Sequence, residues 1–130
     1  MMSNKIAVEI ITPDKTIFKS EADEVIIPSY EGLMGILKDH IPLITFLRPG
    51  LIVIKNQKEE NYYVQEGVVE FSNNNLLILT STAQNLKDFD KTSINNLING
   101  EEKKLKDINA TDKEKYVASY KIDTLKEINQ

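Results

Sequence analysis

His40 is the only imidazole in this 130-residue chain and Arg48 the only guanidinium, and neither stands in a pattern that makes or breaks bonds. A histidine serving as a general base needs a hydroxyl or thiol beside it and a third group to orient the ring. Cysteine is absent, and Thr45 alone offers a hydroxyl close to His40 in sequence. One imidazole and no thiolate also fall short of a metal ligand set. The carboxylate pairs Asp23-Glu24, Glu59-Glu60 and Glu101-Glu102 are adjacent in sequence. Neighbouring side chains do not share a face, so each pair reads as solvated surface. No glycine loop ends in Lys-Ser/Thr to cradle phosphate, and no Gly-x-Ser-x-Gly elbow occurs. The expectation is a protein that is not an enzyme, holding neither metal nor cofactor.

His40 and Arg48 do share a neighbourhood. Residues 32–50 hold both, together with three of the five glycines and two of the four prolines. Glycine opens backbone angles that other residues resist, and proline fixes one angle while removing a donor. Such crowding predicts a constrained, turn-rich segment between strands.

The elements around it read as short strands. Ile6, Val8 and Ile10 put apolar side chains on one face, a period of two. Thr12-Pro13-Asp14-Lys15 is a turn. Extended structure is expected at 16–18, 21–28, 43–47, 51–55, 62–64, 68–71 and 76–80. A polar loop is expected at 56–60, and Asn73-Asn74-Asn75 forms a turn that tolerates left-handed angles. Short strands at regular spacing predict an antiparallel sandwich or barrel.

After Thr82 the period changes. Asp90 caps a helix with apolar positions Ile94, Leu97, Ile98, Leu105 and Ile108, and Gly100 either ends it early or gives it a flexible joint. Thr111 and Glu114 match a capping box, opening a second helix with Val117, Ala118, Ile122, Leu125 and Ile128 as its stripe, flanked by Tyr116 and Tyr120. The fold class is therefore α+β: a sandwich over 1–87, then a helical hairpin over 88–130. A two-helix hairpin buries one stripe per helix, so its stability must come from docking, and it is the expected mobile part.

Composition removes further classes. Residues 1–87 carry 8 basic and 11 acidic side chains, and residues 88–130 carry 8 and 9, so neither half is a basic field for nucleic acid. The longest apolar runs are strand-sized, well under the roughly 20 residues that a membrane-spanning helix needs. The start, Met1-Met2-Ser3-Asn4-Lys5, lacks the regions of a signal peptide, which predicts a soluble intracellular protein.

One pattern in 31–50 is more specific than turn chemistry. Glu31, Gly32, Gly35, Leu37, His40, Pro42 and Leu43, followed by Pro49-Gly50, resemble the Glu-Gly-x-x-Gly-x-Leu-x-x-His-x-Pro-Leu run and Pro-Gly turn of the epsilon subunit of F-type ATP synthases, called delta in mitochondria. Val8 to Pro13 and Glu66-Gly67-Val68-Val69-Glu70 fit the same family, and the resemblance covers 5–87 in order. It implies a sandwich of about ten strands and a C-terminal helical hairpin. It also implies a non-catalytic place in the rotor's central stalk, bound to the shaft subunit gamma and resting on the polar loops of the c-ring, so that ion flow is coupled to ATP synthesis. Membrane association would come only through the complex, at the cytoplasmic face of a bacterial inner membrane or the equivalent organelle face. By resemblance, Ser29, Tyr30, Glu31, Gly32, Leu33 and Met34, with His40 and Pro42, lie at the end facing the ring, Glu31 meeting a basic loop residue. On residues alone, an unrelated sandwich that binds a peptide or sugar stays open. Against a sugar site, Trp is absent and Tyr62 and Tyr63 point to opposite faces.

The hairpin departs from the family. Some members bind ATP through Ile/Leu-Asp-x-x-Arg-Ala at the start of the first helix. Here Phe89-Asp90-Lys91-Thr92-Ser93-Ile94 keeps the aspartate as Asp90 and puts serine in place of arginine. Arginine is the usual fork for phosphate, so no useful ATP binding is expected. By resemblance, Lys103, Lys104 and Lys106 are the residues that would meet acidic loops of the alpha and beta subunits. The second helix, at most about 27 Å long at 1.5 Å per residue, is short for an inhibitory member. Weak or absent inhibition by insertion is expected.

Overall fold

The computed structural model describes residues 4–128; Met1 to Ser3 and Asn129-Gln130, which complete the two expected domains, lie outside the described residues. Ten strands come first: β1 (Ile6–Ile11), β2 (Thr16–Ala22), β3 (Glu24–Ser29), β4 (Gly32–Ile36), β5 (Leu43–Leu47), β6 (Gly50–Lys55), β7 (Glu59–Val64), β8 (Gly67–Ser72), β9 (Asn75–Leu79) and β10 (Ala83–Asn85). A 3-10 turn at Leu86–Asp88 leads into α1 (Lys91–Lys106) and α2 (Asp112–Ile128).

The hydrogen-bonded order is β10-β7-β6-β3-β5-β8-β9-β1-β2, with β4 on β3. The join between β3 and β5 is the single pair Ser29 and Leu47, so the ribbon folds there into two layers. Ile6, Val8 and Ile10 from one layer meet Val25, Ile27, Ile52 and Ile54 from the other in the main core. The far strands also meet, since Phe18 of β2 lies edge-on to Tyr62 of β7 at 6.1 Å between centroids. The sandwich thus nearly closes, which leaves little unpaired edge.

The expected α+β architecture of a ten-strand sandwich and helical hairpin stands, with one change to the antiparallel rule. β1 and β9 pair in parallel. Parallel neighbours need a long crossover, and here the connection is nearly the whole sandwich. A second difference concerns 32–36. Its glycines read as turn chemistry, yet it forms β4, antiparallel to β3 from Ile36 against Val25 to Gly32 against Ser29. Met34 packs against the core and Ile36 is buried in it, while Leu33 faces out. The strand period was present but masked by glycine. The polar loop also ends earlier than expected, because Glu59 and Glu60 already belong to β7.

In the helical part, Asp90 caps α1 by accepting from the Ser93 amide at 2.7 Å, and the helix runs through Gly100 without a break. The Thr111 Oγ1 accepts from the Glu114 amide at 3.1 Å. The Glu114 carboxylate takes the Thr111 hydroxyl instead of closing back on its amide, so half of the capping box forms. Ile108 lies beyond the end of α1 and is 92% exposed, outside the stripe expected for it. Ile94, Ile98, Leu105, Ile122, Leu125 and Ile128 dock on the outer face of β6 and β7, whereas Leu97 stays exposed at 38%. Ile94, Ile98, Ile122 and Leu125 bury Tyr63, with Leu51 and Phe89 packed alongside.

Candidate functional site

Two turns carry the residues singled out by sequence. At one end of the sandwich, the Ser29 Oγ donates to the Gly32 carbonyl at 2.7 Å and accepts from the Glu31 amide at 3.2 Å. This closes a tight turn in which Gly32 takes φ 123°, a region that suits glycine. Ser29 is fully buried and Met34 turns inward, so of the expected contacts at 29–34 only Tyr30, Glu31, Gly32 and Leu33 present themselves outward, Leu33 at 70% exposure.

His40 and Pro42 lie elsewhere. Gly32 starts β4 and Ile36 ends it at the opposite end of the sandwich, roughly 13 Å away at 3.3 Å per residue. The loop at 37–42 follows from that far end. The structure therefore does not bring His40 together with Glu31, contrary to their expected shared end. The His40 Nδ1 lies 2.7 Å from the Ile41 carbonyl. A carbonyl only accepts, so Nδ1 carries the proton in that bond. The ring stands edge-on to Phe71 at 6.0 Å. Asp39, at φ 67°, is fixed by its amide donating to Asn74 Oδ1 at 2.7 Å. Thr45 sits opposite Val69 within β5. His40 is held as a shaped loop residue rather than aimed at a nucleophile.

A surface that sequence reasoning missed connects to this loop. Phe46 of β5 pairs with Val68 of β8, which pairs with Leu79 of β9, so three apolar side chains lie in a row across three strands. All three are exposed, Phe46 at 63%, and Ile44 beside them is 71% exposed. Ile41, next to His40 in the loop that leads into β5, is 74% exposed. This face belongs to the layer that the hairpin leaves uncovered, since the helices dock on β6 and β7. The available signal was Leu43-Ile44-Thr45-Phe46-Leu47, four apolar residues in five where a strand with one wet face should alternate. Contiguous exposed apolar area of this kind marks a binding surface.

The hairpin positions resolve differently from one another. Lys103, Lys104 and Lys106 are all exposed, and Lys104 also lies 3.4 Å from a Glu101 oxygen. Glu101, read from sequence as solvated surface, is only 14% exposed and bridges to Lys121 of α2 at 3.6 Å, while its Oε2 is buried with no hydrogen bond among the described residues. The helical stripe turns it into the seam between helices, which adjacency in sequence could not reveal. Its charge and, more strongly, burial push the Tyr63 phenol above its ordinary pKa.

A cleft of about 830 Å³ lies between α1 and strands β2, β7 and β10. Ser93 lines it along with Asp88, Asn96 and Lys15. The Asp90 carboxyl is held below its usual pKa, chiefly by the Ser93 amide, and its charge is engaged in capping. Among the described residues no group of three or more His, Cys, Asp or Glu side chains converges as a metal site would require.

Comparison with known proteins bears on these surfaces. The family model for the ATP synthase delta/epsilon chain beta-sandwich domain matches residues 5–86. The chain is 48% identical over 130 residues to the ATP synthase epsilon chain of Pelagibacter ubique, covering 98% of this chain and 100% of that one. It is 32% identical over 129 residues to the ATP synthase epsilon chain of Parvibaculum lavamentivorans, covering 98% and 97%. Among solved structures, a chain of the Euglena gracilis mitochondrial ATP synthase OSCP/F1/c-ring assembly superposes with a TM-score of 0.77 at 17% identity, covering 97% of this chain and 80% of that one. A chain of the Tetrahymena thermophila mitochondrial ATP synthase central stalk and c-ring gives 0.67 at 17% identity, with both chains fully covered. At that identity the two superpositions speak for the fold.

Proposed function

The chain belongs to the ATP synthase delta/epsilon family, and from that premise we propose that it is the non-catalytic epsilon subunit of the central stalk, coupling rotation of the ion-driven ring to ATP synthesis. The observation that carries this reading is the full-length likeness to an epsilon chain at 48% identity. Family membership displaces the unrelated binding module as an alternative. No helix among the described residues is long and apolar enough to cross a membrane; in this reading the chain meets the membrane through the complex.

The two ends of the sandwich present different surfaces, and this reading gives each to a different partner. The turn of Tyr30, Glu31 and Leu33 faces the c-ring loops. His40, Pro42 and Ile41, together with Ile44, Phe46, Val68 and Leu79, face gamma. This departs from the expectation that one end holds both Glu31 and His40, because β4 stands between them. An exposed ion pair at Glu31 contributes only about 0.2–1 kcal/mol, so affinity comes mainly from the apolar face. The sandwich of 1–87 is the binding part and the hairpin of 88–130 the regulatory part. Lys103 and Lys106 are better placed than Lys104 to meet the alpha and beta subunits. With Ser93 in the cleft and no arginine after Arg48, the hairpin does not bind ATP at micromolar concentration; saturable binding by calorimetry would overturn this.

Co-purification with gamma tests the reading. The chain should form a stable complex, and Phe46→Glu should abolish it while leaving the melting temperature within a few degrees, since the side chain is exposed. Undiminished binding by Phe46→Glu would move gamma to another face. No binding by the unaltered chain would remove the stalk assignment.

A further inference from the structure

Four side chains at one corner join the turn at 29–32 to the second helix. Tyr30 stacks on Tyr116 at 6.4 Å between centroids with planes 18° apart, and meets Tyr120 edge-on at 6.3 Å. Tyr116 and Tyr120 are one helical turn apart on the same face of α2. Their rings lie 4.8 Å apart, and their hydroxyls are 2.9 Å apart. The Arg48 guanidinium sits over the Tyr120 ring at 4.8 Å, an attraction between cation and ring face.

Arg48 is itself fixed to the turn's supporting strand. Its amide donates to the Pro28 carbonyl at 2.9 Å, and its guanidinium donates to the Pro49 carbonyl at 3.1 Å. One helical turn beyond Tyr120, the Thr124 hydroxyl approaches the same Pro49 carbonyl at 3.4 Å. Three successive turns of α2 therefore engage this corner. The contact differs in kind from the apolar docking of Ile122 and Leu125 on Tyr63. Apolar burial is non-directional and tolerates sliding, whereas ring geometry and hydrogen bonds fix one position. Tyr30 and Tyr116 are also about half exposed, so the cluster is open to an approaching surface.

We propose that Tyr30, Arg48, Tyr116 and Tyr120 form an aromatic latch that couples the seating of α2 to the conformation of the turn at 29–32, each element holding the other in place. The latch rests on the reading above that the turn faces another subunit and the hairpin is regulatory. Under it, contact at the turn and release of the hairpin are linked events. Such linkage is reciprocal: whatever the turn does to the helix, the helix does to the turn by the same factor.

Backbone hydrogen exchange of the isolated full chain tests this, using the Arg48 amide for the corner and the α2 amides for the helix. Tyr30→Ala should speed exchange across α2 by about fivefold or more, within the usual range of coupling between sites. Tyr120→Leu should speed exchange at Arg48 by a similar factor, and the double variant should add little to either single. Amides of Val69 and Ile78 in the core report on global folding and should not change. An effect under about twofold in either direction, or full additivity in the double variant, overturns the latch. Should Tyr120→Leu disturb the core amides as well, Tyr30→Ala and Tyr116→Leu decide by the same criteria. These outcomes do not depend on gamma, so failure of the latch and failure of the stalk assignment remain separate results.

Discussion

Across the seam between α1 and α2, a carboxylate oxygen of Glu101 lies 3.6 Å from the ammonium of Lys121, and each side chain is only 14% exposed. Lys104 reaches the same oxygen at 3.4 Å from a more exposed position. Removing one member of a largely buried pair leaves the other charge without its partner, which costs far more than losing a surface pair. Glu101→Ala should therefore destabilise the chain by about 2 kcal/mol, between the surface and fully buried cases. The double variant Glu101→Leu with Lys121→Met should recover most of that loss. Urea denaturation followed by helical circular dichroism measures both, and an equal loss in single and double variants would refute the pairing.

Asp90 gives α1 a pH dependence at its start. The Ser93 amide bond lowers the folded-state pKa below the ordinary carboxylate value. A depressed acid contributes stability above its unfolded pKa and loses it as pH falls through the folded one. Helical signal from the hairpin should thus decline on acidification through and below the usual carboxylate range. Asp90→Asn keeps an acceptor at the cap but does not titrate, so it should shrink the acid-induced change. An identical acid profile in both proteins would count against the cap.

Tyr63 acts at the opposite end of the scale. Burial and then the Glu101 charge raise its pKa above the ordinary 10.0. A raised group leaves stability intact below its unfolded pKa and removes it as pH climbs towards the folded one. The docked hairpin should therefore loosen above about pH 10, where the unfolded phenol ionises. Tyr62 and Tyr116 are shifted the same way, so Tyr63→Phe should reduce the alkaline slope of stability without abolishing it. Chemical denaturation at a series of alkaline pH values reads the slope.

Gly50 tests the Arg48-Pro49 corner. A Cβ there would lie 2.6 Å from the Pro28 Cβ and 2.9 Å from its Cγ, on a ring that has little room to move. Gly50→Ala should destabilise the fold by about 1–3 kcal/mol, the usual range for overpacking. Thermal unfolding should show a lower midpoint, whereas alanine at Gly100, where no atom lies within 4 Å of the added Cβ, should not lower it.

Much of the local structure was written in short stretches of sequence. The alternation of Ile6, Val8 and Ile10, the left-handed Asn73 and Asn74, the Asp90 cap and the Thr111 helix start all depend on neighbours within a few residues. Alternation and capping act over one strand or one helical turn, so they survive without knowledge of the fold. The motif from Glu31 to Gly50 likewise identified the family, because it is a local string. β4 was legible in principle, since Met34 and Ile36 keep the strand period, but its two glycines suggested a turn.

The sequence alone therefore determined the two-part α+β architecture, the helix starts and the family. Only the tertiary structure decided that Glu31 and His40 sit at opposite ends, that Glu101 lies in a seam, that Phe46, Val68 and Leu79 form one open row, and that Tyr30 meets Tyr116. The contacts among these join residues distant in the chain, and all four results depend on which faces the curled sheet and docked hairpin bring together or keep apart. Pairing energies of that kind come from packing geometry, which no short window of residues contains.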